Sequence, residues 1–144
     1  GDRTGIRISP VTPANDVSDS NPQPLFDYIV DHLNALKLTY IHVIEGATGG
    51  PRDNAPFDYA SLRKRFKQAY IANNGYDFAL AEKVLEAGAA DLIAFGKPFI
   101  SNPDLVERLK AGAPLNEWDK ATFYGGGAKG YTDYPTLKAT EAAE

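Results

Sequence analysis

Ala69-Tyr70-Ile71-Ala72, then Asn73-Asn74-Gly75, then Ala79 to Ala87 closed by Gly88, then Asp91-Leu92-Ile93-Ala94-Phe95-Gly96: this run decides the fold. Its first piece is short, apolar and aromatic, and a turn triplet ends it, which reads as a strand. Ala79 to Ala87 carries Leu80, Val84 and Leu85 on one side and meets Gly88 as a stop, which reads as a helix. Asp91 to Phe95 reads as another strand. Two strands joined through a helix predict a parallel pair, because antiparallel neighbours need only a tight turn.

The same alternation extends both ways. Gly5 to Ser9 predicts a strand stopped by Pro10, and Tyr40 to Ile44 predicts another. Between them, Thr12 to Pro24 is too rich in Asn, Asp, Ser and Pro for regular structure. Leu25, Phe26, Ile29, Val30, Leu33 and Leu36 then recur at helical spacing. Glu45 to Pro56 is a glycine-rich loop, and Phe57 to Phe66 a helix with Leu62 and Phe66 on one face. Past Gly96, Asn102-Pro103 reads as the cap and first residue of a helix that buries Leu105, Val106 and Leu109 and ends at Gly112. Strands begin near residues 5, 40, 69 and 91. That is close to the ~30 residues per unit obtained when ~250 residues are shared among eight βα units. The expected fold class is therefore α/β, about four βα units of a TIM (βα)8 barrel, with a doubly wound sheet as the rival on period alone. Residues 1–144 would form one incomplete domain, with residues 136–144 as a frayed tail.

Composition narrows the function classes. Of 144 residues, 43% are hydrophobic and 24% charged, which is globular rather than disordered. The net charge of -4 contains no basic block, so no nucleic-acid face is expected. Cysteine is absent, which excludes disulfides, thiolate metal sites and a cysteine nucleophile, and fits a reducing, cytoplasmic setting. No apolar run approaches the ~20 residues of a membrane span. No signal-peptide pattern opens the chain.

In such barrels, chemistry gathers on the loops after the strands. Asn73-Asn74-Gly75-Tyr76-Asp77 and Phe95-Gly96-Lys97-Pro98-Phe99 each place a glycine where backbone amides can approach a ligand, and each leads to a helix N-terminus. Together they are the parts of a phosphate cradle; singly, each is equally an ordinary glycine turn. Arg7 lies between Ile6 and Ile8, so alternation turns it to the opposite face, towards an anionic partner. A structural ion pair is favoured slightly over a ligand. His32 reads as solvated and His42 as a hydrogen-bonded core residue. Neither has companions at ligand spacing, so no metal site is expected. Glu45 ends a strand and reads equally as catalytic or as bonded to loop amides. Tyr124, Tyr131 and Tyr134 crowd the last loop beside Gly125-Gly126-Gly127, where they could cover a flat ring or simply pack.

Four stretches also resemble one known family, in order along nearly the whole chain. Gly5-Ile6-Arg7-Ile8-Ser9-Pro10 is similar to the motif at strand five of the Old Yellow Enzyme family of flavin-dependent ene-reductases, and Tyr40-Ile41-His42-Val43-Ile44-Glu45 to its strand six. Phe95-Gly96-Lys97-Pro98-Phe99-Ile100-Ser101-Asn102-Pro103-Asp104-Leu105 resembles strand eight and the helix after it. The stretch from Phe123-Tyr124-Gly125 to Tyr134-Pro135 resembles the C-terminal signature. Bacterial alkene reductases of the N-ethylmaleimide type look most similar. The resemblance implies the C-terminal half of a barrel that holds FMN. There, hydride would pass from NADPH through the flavin to the β-carbon of an activated alkene such as an enone, maleimide or nitroalkene.

Carried over residue by residue, the resemblance sets Arg7 against the flavin's pyrimidine edge. Asn74, Gly75, Gly96 and Lys97 would hold the phosphate, and Tyr131 would reach the substrate space. The family usually has Arg where Lys97 stands, which shifts phosphate grip towards backbone amides. The proton-donating Tyr and the substrate-anchoring His pair belong to the first half, so no catalytic residue is expected here. Four strands with two open edges are aggregation-prone. The chain is therefore expected to be completed by a complementary N-terminal half-barrel on another chain, with Gly1-Asp2 following a cut in a surface loop. Two further readings stand beside this one. A non-catalytic half-barrel could self-associate and bind phosphate ligands. A Schiff-base aldolase would need a strand lysine, which none of the four strands has.

Overall fold

The computed structural model describes residues 1–14 and 16–138. They fall into two compact units, divided between Ala94 and Phe95. The first unit runs β1 (Gly5–Ile8), α1 (Pro22–Ala35), β2 (Tyr40–Ile44), α2 (Tyr59–Arg65), β3 (Ala69–Asn73), α3 (Phe78–Glu86) and β4 (Leu92–Ala94). Its strands form one sheet in the order β1-β2-β3-β4, every neighbouring pair parallel. Sequential order with helical crossovers is the barrel pattern, and it excludes the doubly wound rival, whose strand order must reverse.

Alternation gives the sheet two unlike faces. Ile8, Ile41, Val43, Tyr70 and Ala72 are buried against Val30 and Leu33 of α1, Leu62 of α2, and Phe66. Val30, Ile41, Val43 and Leu62 are fully buried, each stabilising the fold by ~1.5–3 kcal/mol relative to exposure. The opposite face carries the register row Arg7, His42, Ile71 and Leu92. Arg7 and Leu92 are exposed there, and His42 and Ile71 half-buried. In a closed barrel, this second face lines the interior.

Local chemistry sets the helix ends. Asp58 and Asp77 cap α2 and α3 by accepting from the amides of Ser61 (3.0 Å) and Leu80 (2.8 Å). α1 begins at Pro22, inside the stretch read as irregular, because Pro at the first helical position needs no amide partner. Leu85 is exposed rather than on the buried side of α3, where Ala81 sits instead.

The second unit holds α4 (Lys97–Ser101), α5 (Leu105–Ala111) and a short 3-10 turn (Lys120–Thr122). Asn102 does not cap α5. Its side chain is spent between Pro98 O (2.8 Å) and the Asn116 amide (2.7 Å), so α5 starts after Asp104. Val106 of α5 is exposed, while Leu105 is buried. Gly112 ends the helix in the left-handed region, as its position predicts. Arg108, buried, reaches Asp104 Oδ1 (2.8 Å), Pro114 O (2.6 Å) and Pro135 O (3.0 Å). Within the stretch expected to fray, the Leu137 amide donates to Asp104 Oδ2 (2.6 Å). Residues 139–144 of that stretch lie outside the described residues.

Candidate functional site

Glu45 follows β2 with the parity of Ile41 and Val43, so its carboxylate enters the helix-facing side, where it is buried. A buried charge needs partners. Arg52 of the β2–α2 loop pairs with Oε2. Tyr76 Oη also donates to Oε2 (2.7 Å), and Tyr70 Oη donates to Oε1 (3.2 Å). Burial, followed by the carboxylate's own influence, pushes both phenols well above the ordinary tyrosine range, so both stay protonated as donors. Arg52 also donates to Tyr76 Oη (2.8 Å), with its guanidinium 4.2 Å above the Tyr76 ring. The carboxylate is therefore held by side chains, and the expectation of bonding to loop amides is corrected. A cleft of about 580 Å³ opens beside this network, between α2 and the end of α3, floored by Phe66 and Val84.

Asn74 and Gly75 form the turn after β3. Both have positive φ, +98° and +67°, a turn conformation in which backbone amides are accessible to a ligand. Neither amide donates to an acceptor among the described residues. The Asn74 side chain is differently engaged. Nδ2 donates to Glu45 O (2.7 Å), Ala47 O (2.9 Å) and, at 3.4 Å, Gly50 O, while Oδ1 accepts from the Gly49 amide (3.0 Å). Any ligand contact by Asn74 is thus through its backbone. Nor does the α3 N-terminus offer a bare anion site, because Asp77 already caps it.

Arg7 pairs with no carboxylate among the described residues, so the structural ion pair favoured slightly from the sequence is not formed within them. Its register partner His42 is not a hydrogen-bonded core residue either, since Nε2 is buried without a partner. Burial first, then the Arg7 charge, holds the imidazole below its ordinary range. His32 is exposed, as expected, against the Tyr28 ring.

In the second unit, Gly96 precedes α4 and Lys97 begins it. A Cβ at Gly96 would meet nothing within 4 Å, so protein packing does not demand this glycine. Lys97 Nζ sits 5.3 Å from the Trp118 ring centre. Tyr131 is 72% exposed. The tyrosine crowding expected of the last loop is replaced by ring contacts of Phe123 with Trp118 and Tyr124. Tyr134 Oη instead accepts from the Asp119 amide (3.1 Å).

Sequence reasoning missed the partners of Glu45. Strand parity was the available signal: a carboxylate in phase with Ile41 and Val43 is bound for the interior.

Comparison with known proteins gives concordant results. The sequence model of the NADH:flavin oxidoreductase / NADH oxidase family matches residues 1–116. A Leishmania infantum protein named "Probable flavin mononucleotide-dependent alkene reductase" is 40% identical over 136 residues, covering 94% of this chain and 36% of that protein. Morphinone reductase, solved in complex with tetrahydroNAD, superposes with a TM-score of 0.83 at 41% identity, covering 92% of this chain and 35% of that one. The old yellow enzyme from Trypanosoma cruzi does so with a TM-score of 0.85 at 38% identity and the same coverage. The chain thus spans little more than a third of the length of these relatives.

Proposed function

The chain belongs to the NADH:flavin oxidoreductase / NADH oxidase family, and from that premise we propose that it forms the flavin-holding portion of an FMN-dependent alkene reductase. The observation that carries the proposal is Arg7, a strand cation on the open sheet face that pairs with no carboxylate among the described residues. A guanidinium with no carboxylate partner among the described residues fits an anionic ligand, and the adjacent amides of Asn74 and Gly75 fit a phosphate. Bound FMN would supply hydride relay from a reduced nicotinamide, NADPH in this proposal, to the β-carbon of an activated alkene.

The chain's own residues would bind and orient. Arg7 would offset negative charge at the pyrimidine edge, where a fixed cation favours the reduced state. The amides of Asn74 and Gly75, with Gly96 and Lys97, would hold the phosphate. Tyr131 would border the substrate space. His42, kept neutral beside Arg7, adds no second positive charge. The remaining barrel units, on the same or a second polypeptide, would supply the proton donor and the groups that anchor the alkene. The proposed setting is the reducing cytoplasm.

The test uses the complete barrel, with flavin absorbance and NADPH or NADH oxidation on cyclohexenone. Arg7→Ala is expected to weaken FMN binding and slow flavin reduction. Unchanged affinity together with an unchanged reduction rate would count against the assignment. Symmetric dimers of this chain that take up phosphate but no flavin would favour the self-associating half-barrel instead.

A further inference from the structure

We infer that Asn74 is a positioning residue that locks the β2–α2 loop onto the β3–α3 turn, so that an anion seated on the Asn74 and Gly75 amides also fixes the conformation of residues 46–50. This rests on the flavin-nucleotide reading of the turn. The Asn74 amide is used to capacity: Nδ2 serves the carbonyls of Glu45, Ala47 and Gly50, and Oδ1 takes the Gly49 amide. All four of those contacts belong to the glycine-rich loop after β2. The residue holding them sits at φ +98°, which disfavours a side chain. Such a backbone persists only where surrounding bonds over-determine it, and here the bonds come from the neighbouring loop. Turn and loop therefore share one constraint.

A second contact runs the other way. Arg52 leaves the β2–α2 loop and passes beneath Gly75, its Cδ lying 3.6 Å from where a Cβ on that glycine would stand. Its guanidinium is anchored to Glu45 and Tyr76. Thr12 adds a fastening to the same loop, its Oγ1 donating to Gly46 O (2.7 Å). Loops after parallel strands form the rim at which barrels do chemistry. A ligand that favours one geometry of the turn must favour the matching geometry of the loop, by the same free energy. Filling the phosphate end thereby shapes the rim past which alkene and nicotinamide enter.

The test is made on the complete barrel, with FMN and its phosphate-free counterpart riboflavin as probes, and hydrogen–deuterium exchange of the peptide spanning residues 46–53 as readout. FMN, but not riboflavin, is expected to slow exchange in that peptide. Asn74→Gly suits the positive φ, keeps the backbone amide and deletes the lock. It is expected to abolish the FMN-dependent protection and to lower the FMN-to-riboflavin affinity ratio about tenfold, with riboflavin affinity unchanged. Equal weakening of both flavins would mark a merely structural role and overturn the inference. So would FMN binding without protection in the wild type, or protection that survives in Asn74→Gly. Binding of neither flavin by the wild type would refute the flavin reading itself, and the inference with it.

Discussion

Replacing Glu45 by Ala tests whether one buried carboxylate holds the strand ends together. The substitution strands three groups. Tyr70 is fully buried, so its hydroxyl cannot turn to water; an orphaned buried donor costs about 1–3 kcal/mol. Tyr76 is half-buried and still has Arg52 as a neighbour, so it loses less. Arg52 loses its counter-charge, but its side chain is 32% exposed and regains water. That exposure places the variant below the ~3–5 kcal/mol of a fully buried broken pair, at about 2–4 kcal/mol. Glu45→Gln keeps an acceptor for one phenol and should lose about half as much. Urea denaturation of the complete barrel, followed by far-ultraviolet circular dichroism, gives both values. The decisive arm is the double variant: in a Tyr70→Phe background, where no hydroxyl is stranded, Glu45→Ala should lose ~1–2 kcal/mol less. A loss below about 1 kcal/mol in the single variant, or equal losses in both backgrounds, would refute the reasoning.

Three further outcomes follow from the same structure. The His42 imidazole should titrate below 6.5 by proton NMR; Arg7→Gln should raise its midpoint only part of the way, because burial outweighs the Arg7 charge. A depressed histidine leaves the folded state short of protons, so stability is held above pH 6.5 and lost as pH falls below it, a loss that His42→Gln should remove. In the second unit, the Leu137 amide, and after it Arg108, holds the Asp104 carboxyl below the ordinary 3.8. Its contribution is complete above that pH and lost as pH falls through the lowered value, so the Leu137 amide resonance should shift with a midpoint under 3.8; a midpoint at or above it contradicts the contact. Gly5→Ala would drive a Cβ into the Tyr40 ring. Tyr40 is 37% exposed and its ring can swing aside, so a loss of no more than about 1 kcal/mol is expected by thermal unfolding, relieved in a Tyr40→Ala background; an undiminished loss there would place the clash elsewhere.

The strands were legible because each is a short apolar run bracketed by turn residues, and their spacing left few topologies to weigh. β2 matches its expected span, and β1, β3 and β4 differ by a residue at their ends. The start of α5 was misread for a definite reason. Asn102-Pro103 carries every local mark of a helix start, but the Asn102 side chain has a better use, binding Asn116 fourteen residues on. Local capping signals compete with long-range hydrogen bonds, and sequence displays only the first.

The candidate site divides along the same line. Arg7 stood out in the sequence because a cation in an apolar strand needs a partner, and alternation alone fixed its face. What sequence could not supply was which carboxylates come near it, and among the described residues none pairs with Arg7. Asn74 and Gly75 stood out as a turn, while the division of labour inside Asn74 did not. Its backbone amide has no acceptor among the described residues while its side chain is fully employed, a distinction that depends on Ala47, Gly49 and Gly50 arriving from the neighbouring loop. The Glu45 network could have been anticipated in part. Glu45 shares the parity of Ile41, and Tyr70 stands opposite Ile41 in register, so both side chains had to enter the same layer. A carboxylate and a phenol sent into one apolar layer have little choice but each other. Arg52 and Tyr76 come from loops, where no periodicity constrains direction, and their arrival depends on how those loops close over the strand ends. The chemistry of this site is thus written in strand parity, and its mechanical coupling in loop closure.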